Sequence, residues 1–199
     1  MNLFRALAYQ ADERPDADAL VWWHRRRCAL SFRDLERRAC SVGAHLQARF
    51  GVRPGDRVLL LLPVGPDLYT ILLALFRIGA PAVLVDPGVG RQAFDRACVR
   101  AAPRVVVTAL AGLALLARSA ALRAIPTRVA VGFRFPGCRT LDVRAPADSA
   151  VAAEFEDGHP ALLTFTSGTG GMPKAVVRTH GFLEAQEMGL RRELALQPG

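Results

Sequence analysis

The stretch "TFTSGTGGMPKAVVRTH", Thr164 to His180, decides how this sequence is read. Seven of its first ten residues are Gly, Ser or Thr, and the run ends on Pro173 and Lys174 before the apolar "AVV". Lys174 is the only lysine in a chain with 26 basic residues, so every other cation is an arginine. "ALLTF" before the loop and "KAVVRT" after it have the composition of strands. A glycine-rich loop after a buried strand is where backbone N–H groups converge on phosphate oxygens. Gly168, Gly170 and Gly171 remove side-chain bulk and permit positive φ, so the backbone can approach an anion closely. Thr166, Ser167 and Thr169 add hydroxyl donors, and Lys174 adds a compact ammonium on a flexible stem. The loop is not a Walker A sequence, because the lysine follows proline and precedes Ala175 where Gly-Lys-Ser/Thr is required. Nor is it a dinucleotide fingerprint, because a strand follows it and not a helix.

Outward from the loop, short apolar runs alternate with helical patterns. "ALVWWH" (Ala19 to His24) and "CALSF" (Cys28 to Phe32) predict a hairpin turning on Arg25 to Arg27. Ser31-Phe32-Arg33-Asp34 fits a capping box, after which Leu35, Ala39, Val42 and Leu46 fall on one helical face. That helix ends near Gly51, and "RVLLLLP" is a continuous apolar strand of the kind buried on both faces. A helix from Pro66 to Ile78 stops at Gly79. The strands "AVLVD", "RVVVT" and "RVAVGF" then alternate with the helices "RQAFDRACVRAA" and "LAGLALLARSAALRA". The segment from Gly137 to Pro160 is the least patterned and reads as a surface connection, its acidic residues Glu154, Glu156 and Asp157 facing solvent. A helix from Gly181 to Leu194 closes the chain. The alternation predicts an α/β fold with a mostly parallel sheet flanked by helices.

A length of 199 residues, 51% apolar and 22% charged, fits a single globular domain and not a disordered chain. The formal charge of +8 would suit nucleic acid or an anionic membrane. The arginines are scattered, however, with their densest runs at His24–Arg27 and Arg191–Arg192 and no interleaved aromatics, so a solvated basic surface is the expectation and nucleic acid is not an expected partner. Cys28, Cys40, Cys98 and Cys138 form no Cys-x-x-Cys pair, and the four histidines stand far apart, so free thiols and no metal site are expected. The N-terminus carries no sustained apolar segment, and "LYTILLALFRIGAPAVLVD" is interrupted by Arg77, Gly79 and Pro81 short of the ~20 apolar residues of a membrane span. A soluble, cytoplasmic protein is expected. Asp86 reads as a strand-end residue capping the next turn, and His180 as one that caps or packs where strand meets helix.

The loop resembles the phosphate loop of the adenylate-forming superfamily of acyl-CoA synthetases, fatty acyl-AMP ligases, luciferases and peptide-synthetase adenylation domains. That loop has the form Thr-Ser-Gly-Thr-Thr/Ser-Gly-x-Pro-Lys-Gly. "ALSFRDLERRA" (Ala29 to Ala39) resembles the family's first motif. The stretch from Gly51 to Pro87 resembles the following strand, helix and "Lys-Ala-Gly-x-x-x-Val-Pro-Leu-Asp-Pro", with Arg77 at the lysine. The continuation "VVRTHGFLEAQ" is most similar to members acting on fatty or other hydrophobic acids.

The resemblance implies a two-step reaction. A carboxylate attacks the α-phosphate of Mg·ATP to give acyl-adenylate and pyrophosphate, and a nucleophile, coenzyme A among the candidates, then takes the acyl group. Thr166, Ser167, Gly168, Thr169, Gly170, Gly171 and Lys174 would hold the phosphates. The family's adenine, carboxylate, Mg²⁺ and ribose sites and its mobile lid domain lie C-terminal to this loop. Residues 1–199 are therefore expected to be a partial N-terminal AMP-binding domain without a catalytic residue or metal ligand of its own. Activity of the chain alone is not expected. A missing C-terminal half, a second polypeptide completing a split enzyme, or a non-catalytic nucleotide-binding module are the alternatives. Gly170 stands where the family has Thr or Ser, and Ala175 where it has glycine. Gly170→Thr is therefore expected to tighten ATP binding, measured by titration calorimetry against the parent chain; unchanged affinity would contradict this.

Overall fold

A computed structural model describes residues 2–147, 151–166 and 173–194. Its framework is a seven-stranded sheet, preceded in the chain by a helix, a separate hairpin and a long helix. The first elements are α1 (Phe4–Glu13), β1 (Asp18–His24) and β2 (Arg26–Ser31). The two strands pair antiparallel around Arg25 alone, so the turn is tighter than the three-residue turn expected at Arg25–Arg27.

Ser31 then begins α2 (Phe32–Phe50) as expected, its hydroxyl accepting the Asp34 N–H, and Gly51 ends it with φ +68. Leu35, Ala39, Val42 and Leu46 are all buried, which is the face the spacing predicts. Strand β3 (Val58–Leu61) is buried along its whole length. Helix α3 (Pro66–Arg77) has proline in its first turn, and its cap Ile78 is followed by Gly79 at φ +68. Strand β4 (Ala82–Leu84), helix α4 (Arg91–Ala101) and strand β5 (Val105–Thr108) follow where the pattern puts them.

The run Leu110 to Ala124 is not the single helix its composition predicts. It forms a 3₁₀ turn (Leu110–Gly112), α5 (Leu113–Arg118) and α6 (Ala120–Arg123). The break is Ser119, whose Oγ accepts the Leu122 N–H at 3.1 Å and donates to Asp95 Oδ1 at 2.5 Å. A serine that caps one helix and bonds to another outcompetes helix continuation. Strand β6 (Thr127–Val131) then joins the sheet. The Gly137–Pro160 connection also holds more structure than expected. Arg139–Leu141 is the outermost strand, β7, and Leu141 and Val143 are buried. Three residues are too few for alternation to show. Farther on, Gln47 of α2 exchanges two hydrogen bonds with the backbone of Val151. Glu154, Glu156 and Asp157 are exposed, as expected.

Strands β8 (Pro160–Thr166) and β9 (Lys174–Thr179) form the other side of the sheet, and α7 (His180–Glu193) follows. The strand order is β7-β6-β5-β3-β4-β8-β9, and all pairings are parallel except β8–β9. Alternate residues of the buried strands feed two cores. Val58, Leu60, Val105 and Val107 meet α2 and α3 (Val42, Leu46, Ile71, Leu75) on one face. Leu59, Leu61 and Val106 meet α4 and α6 (Phe94, Cys98, Leu122) on the other. The order of the central strands follows from these faces. The chain leaves β3 over one face through α3 to β4, then crosses back over the other face through α4 to β5.

Gly112 sits where this crossing is tightest. A Cβ there would lie 2.1 Å from Thr108 Oγ1 and 3.1 Å from the Leu61 carbonyl oxygen. Gly112→Ala is expected to destabilise the chain by about 1–3 kcal/mol, as overpacking does, read as a lowered urea midpoint. Gly189, mid-helix in α7 with open space around its Cα, is the contrast: Gly189→Ala should stabilise by about 0.5–1 kcal/mol. Among the described residues no helix is long and apolar enough to cross a membrane.

Candidate functional site

Because β3, β4, β5 and β8 run parallel, the loops that follow them all emerge at one edge of the sheet. The loop after β3 turns to the α3 face, and those after β4 and β5, on either side of it, turn to the opposite face. Neighbouring loops that part in this way open a crevice at the carboxyl ends of the strands, where open α/β sheets bind ligands. A cavity of about 550 Å³ lies there. Its walls come from the strand ends and loops, among them Leu61, Leu84, Asp86, Gly112 and Phe165, with Leu68 from α3 and Leu115 from α5. It is apolar apart from Asp86 and Thr164. Asp86 caps the next turn as expected, its Oδ1 accepting the Gly88 N–H at 2.8 Å.

The glycine–hydroxyl loop joins β8 to β9 at this edge. Thr166 and Lys174 pair directly across the antiparallel ribbon and so form its two posts. Ser167, Gly168, Thr169, Gly170 and Gly171 lie outside the described residues. Pro173 is buried and Lys174 exposed, so the post is fixed at its base while the ammonium stands in solvent. On β9 the residues Lys174, Val176 and Arg178 share a face with Leu162 and Thr164 of β8. Arg178 donates to Thr164 Oγ1 at 2.5 Å, so a second cation is held about 13 Å along the strand from Lys174. Sequence reading missed the Thr164–Arg178 pair. The signal available was the even spacing of Lys174 and Arg178 within one strand, but the partner strand's register is needed to bring Thr164 opposite. It also missed the cavity, since its walls come from the ends of β3, β4 and β8 and from the turn after β5, far apart in sequence.

The ends of the ribbon are tied to the body through His180, which is buried as expected, although the helix cap is Thr179, whose Oγ1 accepts the Phe182 N–H. The Leu3 N–H donates to His180 Nδ1 at 3.4 Å. Phe155 packs against the rings of both His180 and His159, 4.6 and 4.5 Å from them, and His159 Nε2 bonds the Gly79 carbonyl at 2.8 Å. Burial, with the charge of His159 second, pushes His180 down to about 4. The imidazole is therefore neutral at physiological pH and serves as a packing and accepting group. The four cysteines are free thiols, as expected. Burial pushes Cys40 up to about 11 and Cys98 up to about 12, so neither is a thiolate at neutral pH. Among the described residues no three His, Cys, Asp or Glu side chains are grouped to hold a metal ion.

What the fold and edge define is an α/β domain whose β8–β9 ribbon stands beside an apolar crevice. Residues 7–197 match the family of AMP-binding enzymes, and the chain belongs to that family. It is 32% identical over its whole length to an olefin β-lactone synthetase of Xanthomonas campestris pv. campestris, covering 38% of that protein. It is 34% identical, over 84% of its length, to a medium/long-chain fatty acid–[acyl-carrier-protein] ligase of Mycobacterium tuberculosis, covering 31% of it. The acetoacetyl-CoA synthetase of Streptomyces lividans superposes on the whole chain with a TM-score of 0.82 at 28% identity, the chain covering 33% of that structure. The fatty acyl-adenylate ligase of L. pneumophila, solved with acyl adenylate and pyrophosphate, shares the fold at a TM-score of 0.76 and 20% identity, over 98% of this chain and 33% of that one. The chain thus spans well under half the length of these relatives. The expected α/β class and the resemblance both stand.

Proposed function

We propose that this chain forms the phosphate-binding part of an ATP-dependent ligase that activates a carboxylic acid, of fatty or other hydrophobic type, as its acyl-adenylate. The observation that carries the reading is the β8–β9 ribbon, which sets Lys174 opposite Thr166 at the carboxyl edge of the sheet, with the glycine–hydroxyl loop between them. In the reaction a carboxylate oxygen forms a bond to the α-phosphorus of ATP as the bond to the bridging oxygen breaks, and pyrophosphate leaves with that electron pair. Negative charge grows on the β- and γ-phosphates as it leaves. Donors already in place at that point stabilise the transition state more than the ground state. Thr166, Ser167, Gly168, Thr169, Gly170, Gly171 and Lys174 are the residues assigned to that task. Mg²⁺ would enter on the ATP as part of the substrate.

Residues 1–199 correspond in this reading to the first part of the family's large N-terminal domain. The adenine and carboxylate pockets, the lid and the acyl acceptor's site, whether for coenzyme A or another nucleophile, would come from residues beyond it or from a second polypeptide. The test is carboxylate-dependent exchange of labelled pyrophosphate into ATP by the protein purified from its own cells, across acids of increasing chain length. Exchange that requires a hydrophobic acid is the expected result. Saturable ATP binding with no exchange for any acid would instead make the chain a nucleotide-binding module.

A further inference from the structure

The β1–β2 hairpin stands outside the seven-stranded sheet, and its two faces differ sharply. Cross-strand register puts Leu20, Leu30, Trp22 and Cys28 on one face and Val21, Ala29, Trp23 and Arg27 on the other. The first face is the anchor: Leu30 is buried, and Leu20 and Trp22 pack on the core beside α2. The second face is turned to solvent, with Trp23 78% and Val21 49% exposed. Trp23 is the most exposed aromatic side chain among the described residues.

The turn adds charge at the tip of the hairpin. Arg25 occupies it with φ +60, in the left-handed region where glycine or asparagine is the unstrained choice; Arg27 lies on the Trp23 face and Arg26, opposite His24, at the tip on the other. Arg27 is paired with Asp18, but no carboxylate among the described residues pairs with Arg25 or Arg26. The hairpin therefore presents an exposed tryptophan and flanking aliphatic groups on one face, with the exposed cations Arg25 and Arg26 at its tip.

We propose that this hairpin docks the protein on an anionic lipid surface. Tryptophan partitions to the headgroup level of a bilayer, where its ring is apolar and its N–H still finds a polar partner. Small apolar neighbours deepen that contact, and arginines at the same level meet lipid phosphates. Each such cation strengthens partition onto an anionic leaflet by roughly fivefold. The inference stands independently of the proposed reaction. A single-stranded nucleic acid fits the same features less well: it needs successive aromatics along a basic groove, and this face is flat with one ring.

The experiment measures cosedimentation of the chain with vesicles of phosphatidylcholine alone and of phosphatidylcholine mixed with phosphatidylglycerol. A Trp22→Phe background makes Trp23 the sole tryptophan, excited selectively at 295 nm, since the chain has two tryptophans. The expected result is salt-sensitive binding to the mixed vesicles only, with a blue shift of Trp23 emission and quenching by brominated lipid. Arg25→Gln with Arg26→Gln should weaken partition roughly 25-fold, and Trp23→Ser should abolish most of the remainder, both without a change in melting temperature. Binding that survives all three substitutions would overturn the proposal, as would failure to bind the mixed vesicles or preference for a single-stranded oligonucleotide.

Discussion

Replacing Lys174 by methionine is expected to lower carboxylate-dependent pyrophosphate exchange by about 10²–10³-fold, the cost of removing one preorganised donor from a developing oxyanion. Methionine keeps the length of the stem and removes only the charge and the donors. The effect should be almost wholly functional. Lys174 is exposed at the first position of β9, no carboxylate among the described residues pairs with it, and the strand is held by its register with β8 and by the buried Pro173 beneath. The melting temperature of Lys174→Met should therefore match the parent. Lys174→Arg is expected to recover only part of the activity, because a planar guanidinium cannot reorient its donors as a compact ammonium can. Parent-like exchange by Lys174→Met would remove the lysine from the phosphate site.

The second large effect is on stability against pH. His180 is neutral in the folded chain, with its ordinary value of 6.5 lowered to about 4 by burial and by His159. The unfolded chain binds a proton at this position near 6.5, while the folded chain does not bind it until near 4. Stability from this group is thus complete above 6.5 and is lost progressively as the pH falls towards 4. Over that window the loss is roughly 3 kcal/mol. Protonation would put a charge between Phe76 and Phe155 and remove the acceptor that holds the Leu3 N–H, so α1 should be the first element to loosen. Urea unfolding at several pH values checks this, with His180→Gln as the reference. The variant should be less stable at neutral pH and should show a flatter slope between 6.5 and 4. Parallel slopes would show that the imidazole does not carry the linkage.

Much of this architecture could be read from local chemistry. The Ser31 cap, the apolar stripe Leu35–Ala39–Val42–Leu46, Gly51, the unbroken run Val58–Leu61 and the stop at Gly79 each report on structure within a few residues of themselves. Features that depend on partners distant in sequence were not legible. Ser119 breaks a helix because its hydroxyl donates a hydrogen bond to Asp95, 24 residues earlier. Strand β7 exists because β6 offers it an edge and because Leu141 and Val143 find a core, not because three residues show a pattern. For the site, the posts Thr166 and Lys174 followed from the loop's composition, which is itself local. The apolar crevice and the Thr164–Arg178 bond did not, because both arise only when β8 is laid beside β4 and β9 is folded back upon it.

In the proposed function the β8–β9 loop binds the phosphates of a nucleotide. Titrating pyrophosphate into the isotopically labelled chain, with amide shifts followed by NMR, tests it without needing any other part of the enzyme. The predicted result is saturable shifts concentrated between Thr164 and Val176 that vanish in Lys174→Met. Shifts spread over the arginine-bearing surfaces, or unchanged by that substitution, would contradict it.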